Sequence, residues 1–149
     1  MSPFVPPTFH VPRELRTPAF RLEPLGPEHN ARDFAAWTSS VDHIRATPGF
    51  AGRAWPHEMS LQDNLGDLEG HAADFAARTG FTYTVLEPEG DDVLGCVYIY
   101  PDADRPGVTS VRSWVRASHA HLDRPLHDAV ASWLQRAWPF EQIEYAARV

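Results

Sequence analysis

The stretch VTSVRSWVRASHAHLDRPLHDAVASWL, residues 108–134, decides the reading of the chain. Its first part alternates: Val108, Ser110, Arg112, Trp114 and Arg116 against Thr109, Val111, Ser113 and Val115, the period of a strand. From Leu126 the period changes, and Leu126, Ala129, Val130, Trp133, Leu134 and Ala137 form one apolar stripe at helical spacing. Between them SHAHLDRP reads as a tight polar loop. Asp123 is the expected N-cap, and Pro125 sits where a missing N–H costs least. A strand feeding a helix N-terminus is a ready anion site, because the first N–H groups of the helix have no partner.

Outward from this centre, the other elements follow the same periodicities. Residues 19–25 predict the first strand, with Pro24 near its end. Pro27 opens a helix to about Ala46, buried through Phe34, Trp37, Val41 and Ile44. Residues 47–59, TPGFAGRAWPHEM, predict an aromatic loop. Ser60 and Asp63 predict a capping box for a helix with Leu61, Leu65, Leu68, Ala72 and Phe75 on its apolar face. Gly66 and Gly70 weaken that helix or let a neighbour approach closely, and Gly80 ends it. The acids Asp63, Asp67, Glu69 and Asp74 read as a solvated face. Residues 81–87 and 93–100 predict a hairpin around PEGDD. After Pro139, the alternation of Ile143, Tyr145, Ala147 and Val149 predicts a last strand. It is parallel to the central one, because a helical crossover joins them. The order is β-α-α-β-β-β-α-β, an α+β fold with a mostly antiparallel sheet.

The chain has 149 residues, enough for one domain with a substantial core. Residues 1–14, with Pro3, Pro6, Pro7 and Pro12, form an extended arm; residues 15–149 form the domain. The arm is either a loose tail or apolar cover, through Phe4, Val5, Phe9 and Val11, for this domain or a second copy. The net charge is −7, from 20 acids and 13 bases, all of them arginine. That balance argues against general nucleic-acid binding, which needs a positive footprint, and leaves room for a local arginine patch toward a phosphate-bearing ligand. One cysteine, Cys96, excludes an internal disulfide. No apolar run reaches membrane-spanning length and no signal peptide is evident, so a soluble cytoplasmic protein without membrane partners is expected. P-loop, dinucleotide and nucleophile-elbow patterns are absent.

The order of elements, the text from Trp114 to Trp138 and the opening LRTPAFRLEPLGPEHNARDFAAW resemble the GNAT acyl-CoA N-acyltransferases. The resemblance covers residues 15–149. It implies a central strand–loop–helix that holds the pyrophosphate of acetyl-CoA through an R/Q-x-x-G-x-G/A loop. Laid over residues 122–127, that pattern meets Leu122 at the Arg or Gln, Pro125 at the first Gly and His127 at the second. The family continues with another helix and two strands, and often takes a tyrosine from that helix as general acid. Here the sequence stops before them.

The resemblance implies a coenzyme site at Val115, Arg116, Ala117, Asp123, Arg124 and His127. Arg124 and the helix end would hold phosphate, and the backbone of residues 115–117 the pantetheine arm. It implies an acceptor side lined by Phe50, Arg53, Trp55 and His57. A proton acceptor and a donor to the departing thiolate are required. Glu87 and Tyr145 are the candidates, with His43, His57 and Tyr98 as further choices. The basic edge Arg112, Arg116, His119, His121, Arg124 and His127 reads either as this phosphate site or as an exposed strand and polar loop. The three histidines lack companions at metal-ligand spacing, and no metal is expected. Two functions stay open. One is acetyl-CoA-dependent acetylation of an amine, on a small molecule or a protein N-terminus. The other is a non-catalytic module of the same fold that binds a small molecule or protein. The apolar alternation of the last strand, left at a sheet edge, predicts a homodimer through that strand or the arm.

Overall fold

One mixed sheet runs through the molecule in chain order, β1 (Leu15–Arg16), β2 (Arg21–Pro24), β3 (Phe81–Leu86), β4 (Val93–Pro101), β5 (Val108–Val115) and β6 (Gln142–Tyr145). The computed structural model describes residues 3–148. Met1, Ser2 and Val149, at the outer ends of the expected arm and last strand, lie outside the described residues. All neighbouring strands are antiparallel except β5 and β6, which pair in parallel from Val108↔Gln142 to Val111↔Tyr145. Helix α4 (Asp123–Ala137) makes the crossover between them. The α+β fold and the parallel last strand are those expected from the sequence.

Alternation along β4 and β5 gives each face its own core. Val97, Ile99, Val111 and Val115 meet the α4 stripe of Leu126, Val130, Trp133 and Leu134. On the other face Cys96 and Trp114 meet Trp37, Ile44, Phe50 and Leu68, supplied by α1 (Asn30–Thr38), α2 (Val41–Ala46), α3 (Leu61–Ala77) and the loop after α2. Gly95 sits where β4 and β5 come closest. A Cβ there would lie 2.1 Å from the Trp114 carbonyl oxygen, so no side chain fits.

Several local expectations change. The strand β1 is additional, a two-residue piece whose Leu15 pairs with Leu22. The helix expected from Pro27 to about Ala46 is a 3₁₀ turn (Pro27–His29) followed by two helices. They separate at Ser39 and Ser40, where Ser39 Oγ donates to the Ala36 carbonyl and Ser40 leaves the helical region (φ −135°, ψ 20°). Serine hydroxyls compete with the helical ladder in this way. The capping box forms as the spacing predicts: Ser60 Oγ accepts from Asp63 N at 3.0 Å. Helix α3 ends not at Gly80 but through Arg78, which is left-handed at φ 62°. Gly80 instead gives room to the Tyr100 ring, 2.0 Å from where its Cβ would be. Gly66 and Gly70 face open space, so close packing is not their role.

The arm lies on its own domain. Val5 is buried, Phe4 stacks on Phe140 at 4.9 Å, and Phe9 tilts against Trp138 at 5.4 Å. Arg78 Nη2 donates to the carbonyls of Pro6 (2.8 Å) and Phe9 (2.9 Å). Side chains therefore anchor a segment whose prolines lack ladder donors.

Candidate functional site

On the α1–α3 face, the sheet, α3 and the loop between α2 and α3 enclose a cavity of about 480 Å³. Tyr98 and Tyr100, two apart on β4, point into it, and Arg112 of β5 stands opposite Tyr98 in the ladder. One wall is a single stripe of α3: Asn64, Asp67, Leu68, His71 and Asp74, at spacings of three and four. The aromatic loop brings Phe50, Arg53, Trp55 and His57, and α1 brings Asp33. Trp55 packs between Trp37 (5.5 Å) and Trp114 (6.1 Å), which fixes the loop on the sheet.

The polar groups are partly wired together. His71 Nδ1 lies 2.9 Å from Tyr100 Oη and 3.0 Å from Thr82 Oγ1, and Tyr100 Oη donates to Asp74 at 2.8 Å. Burial lowers the pKa of His71. The positive Arg112 adds to that, and Asp67 and Asp74 oppose it. The imidazole is therefore biased toward its neutral form. Trp114 Nε1 donates to Tyr98 Oη at 3.0 Å, and burial raises the Tyr98 pKa well above its ordinary value. Asp33 is buried and accepts from Asn64 Nδ2 at 3.2 Å. Burial pushes its pKa from 3.8 up to about 6. Arg112 is half-buried, its guanidinium over the rings of Phe50 (5.7 Å) and Tyr98 (5.8 Å). Burial, and then Arg53, lower its pKa. Among the described residues it has no ion-pair partner within 4.0 Å.

The sequence-derived candidates divide into three places. Phe50, Arg53, Trp55 and His57 all line the cavity. Glu87 does not; it opens the β3–β4 loop, its N–H bonded to the Asp92 carbonyl at 3.3 Å. Tyr145 is also outside the cavity, on the α4 face, in contact with the His127 ring at 4.2 Å and hydrogen-bonded to Ser113 Oγ. Burial pushes its pKa up to about 12. The basic edge is not one patch. Arg112 faces the cavity, Arg116 Nη1 donates to the Val93 carbonyl at 3.2 Å, and Arg124 is exposed. No cluster of three or more metal-ligating groups occurs among the described residues.

The polar loop of residues 117–122 is a 3₁₀ turn, and Asp123 is the first residue of α4 rather than its N-cap. Its carboxylate receives Arg148 Nε at 2.7 Å. Arg148 Nη2 also donates to the Ser113 carbonyl at 2.8 Å, and its side chain is 4% exposed. This ion pair ties the chain after β6 to the start of α4 and to β5. The nearby N–H groups are taken as well: Arg116 N by the Leu94 carbonyl (2.8 Å) and Ala117 N by Ser40 Oγ (2.8 Å). A carboxylate already at the helix end and no glycines for close backbone approach do not fit the pyrophosphate of coenzyme A.

Sequence reasoning missed Asp33, Asp67, His71, Asp74 and Tyr100 as site residues. A signal existed, because Asn64, Asp67, His71 and Asp74 share one helical stripe with Leu68.

No family model and no curated protein matches the sequence. Solved structures do match. The ribosomal-protein-S5-alanine acetyltransferase of Vibrio fischeri superposes with a TM-score of 0.66 at 11% identity, over 89% of this chain and 72% of that one. The ribosomal L7/L12 α-N-protein acetyltransferase RimL, in complex with coenzyme A, gives 0.64 at 10% identity over 80% and 66%. A probable GNAT-family acetyltransferase from Chromobacterium violaceum gives 0.64 at 18% identity over 97% and 74%. The chain has the GNAT fold. Among the described residues no helix is long and apolar enough to cross a membrane.

Proposed function

We propose that this GNAT-fold chain is a small-molecule-binding domain whose ligand occupies the cavity between α3, the aromatic loop and β4–β5. A single contrast supports the reading. The side expected for the acceptor carries a cavity lined with polar groups, whereas the helix end expected to hold the coenzyme carries the Arg148–Asp123 pair. A cavity of about 300–1,000 Å³ with aromatic walls and a few convergent polar groups is the usual form of a ligand site. Fold alone does not decide activity.

A second reading is acetyl-CoA-dependent acetylation of an amine, either a small molecule or a protein N-terminus. The fold supports it, and so does the cavity's position on the side expected for the acceptor. In that reading His71, biased toward the neutral form, is the better proton acceptor, and Glu87 and Tyr145 lie away from the acceptor. The coenzyme would require Arg148 to move.

Two measurements separate the readings. The first follows the tryptophan indole N–H resonances during a screen of small organic compounds. Cavity ligands should move Trp55 and leave Trp133 and Trp138, in the opposite core, unmoved. The second is a melting curve with about 1 mM acetyl-CoA or coenzyme A. Binding to the native state must raise the melting temperature by mass action. No rise is expected; a clear rise with either coenzyme overturns the binding-module reading in favour of the transferase.

A further inference from the structure

The cavity holds both signs of charge without letting them neutralise each other. Arg112, on the sheet floor, has neither a hydrogen bond nor an ion pair to any described residue, although Asp67 and Asp74 line the same space. Arg112, Asp67 and Asp74 line the cavity with His71 and all act electrostatically on it. Arg53 stands near Arg112 and doubles the positive end. A half-buried guanidinium normally takes a carboxylate or carbonyl partner, because its desolvation is costly. Here it rests only on the rings of Phe50 and Tyr98. Its planar fork stays free for an incoming anion.

Resting on the reading that the cavity binds a small molecule, we propose that the ligand is a zwitterion. Its carboxylate or other anionic group pairs with Arg112. Its ammonium group faces Asp67 and Asp74 on α3, and its apolar body lies against Phe50, Trp55 and Tyr98. Free amino acids and closely related amine–carboxylates share this chemistry. The negative end serves Arg112, which has no polar partner among the described residues. The positive end relieves the acidic stripe, to which Asp33 adds a further charge from α1.

The test is a matched panel read by the Trp55 indole resonance and by calorimetry near neutral pH. It contains the aromatic and aliphatic α-amino acids, the amines obtained by removing their carboxylate, the acids obtained by removing their ammonium group, and neutral indole. At least one amino acid should bind ten-fold or more tightly than its own amine and its own acid. Arg112→Gln should abolish that advantage over the amine, and Asp67→Asn should reduce the advantage over the acid. A circular-dichroism melt checks that each variant folds, and Arg112→Lys keeps the charge without the fork should Arg112→Gln fail to fold. If amines or acids bind as tightly as the amino acids, or indole moves Trp55 while no amino acid binds better, the zwitterion proposal is wrong and the cavity reading stands. If no member of the panel moves Trp55, the zwitterion proposal is wrong. The cavity reading then falls too if the wider screen of organic compounds also leaves that resonance unmoved.

Discussion

Replacing Asp33 by asparagine should stabilise the protein at neutral pH. The carboxyl is 4% exposed, and burial raises its pKa from 3.8 to about 6, with Asp67 adding to the rise and His29 and the Asn64 hydrogen bond opposing it. A displacement of two units, at roughly 1.4 kcal/mol each, makes the ionised form cost about 3 kcal/mol. The folded pKa lies above the unfolded one, so between about pH 4 and pH 6 the folded state binds more protons. Wild-type stability therefore falls as pH rises through that window, and the loss is complete above it. Asparagine never ionises and keeps an oxygen to accept from Asn64 Nδ2. Its own amide needs an acceptor, which returns about 1 kcal/mol if unmet. The net gain near pH 7.5 should be about 2 kcal/mol, or roughly 4–8 °C in melting temperature for a domain of this size. Urea unfolding followed by tryptophan fluorescence at about pH 4, 6 and 7.5 measures it. At the acid end the gain should be gone, leaving the variant level with the wild type, or about 1 kcal/mol less stable if the amide finds no acceptor. A variant that is less stable near pH 7.5, or equally displaced at all three pH values, refutes the account of Asp33 as an ionised and destabilising group.

Arg148→Ala should cost about 2–4 kcal/mol, since it removes the guanidinium that holds the Asp123 carboxylate and the Ser113 carbonyl. The lower part of that range is expected because Asp123 is 21% exposed and can recover water; a urea midpoint unchanged from wild type would contradict the buried-pair assignment. Gly66→Ala and Gly70→Ala should each add about 0.5–1 kcal/mol, because both face open space in a helix interior. Gly95→Ala should do the reverse by several kcal/mol, through the clash with the Trp114 carbonyl, and thermal melts of the three rank them. A chain starting at Arg13 loses the burial of Val5, worth about 1.5–3 kcal/mol as a fully buried side chain, and the partial burial of Phe4 and Phe9. Light scattering on the same samples asks whether the arm also sets the oligomeric state; with the arm docked on its own domain, truncation should lower stability and leave the number of chains per particle unchanged.

Periodicity carried the fold because each element shows a core to one neighbour. The alternation of residues 108–115 and the helical stripe from Leu126 fixed the central crossover, and Ser60 with Asp63 fixed the start of α3. What did not follow from periodicity was long-range. Nothing local in Arg148 says that its guanidinium reaches Asp123, 25 residues away, and the Ser113 carbonyl. Nor does Ser40 announce that it caps Ala117 N, 77 residues on. Asp123 fits the N-cap rule, but tertiary demand for its carboxylate overrode the rule. The acids of α3 misled for a related reason. Charged residues on a helix usually face water, and only the fold shows that Asp67, His71 and Asp74 turn toward a cavity floored by β4 and β5. The aromatic loop was easier, since Phe50 and Trp55 between glycines and prolines must bury against something.

The two ends of the central strand pair differ in how their polar groups are satisfied, and the difference bears on function. Beside α4, Arg148, Asp123, Ser113 and Tyr145 satisfy one another within the chain, as a structural interior requires. On the opposite face Asp33 is buried where ionisation is costly, Arg112 is half-buried without a polar partner among the described residues, and His71 is biased against its charged form. The buried Asp33 carboxylate and the half-buried Arg112 guanidinium each lower the stability of the domain at neutral pH, and both line one cavity with His71. Replacing either of them with an apolar or amide side chain is a simple route to a more stable protein. Unfavourable groups gathered at one concave place are better explained by a bound molecule that completes them than by the needs of folding. If that is their purpose, a cavity ligand should stabilise the wild type more than it stabilises Asp33→Asn with Arg112→Gln. The double variant should be the more stable of the two when empty and gain less on saturation. Equal gains in melting temperature for both proteins at saturating ligand would mean that these groups do not meet the ligand at all.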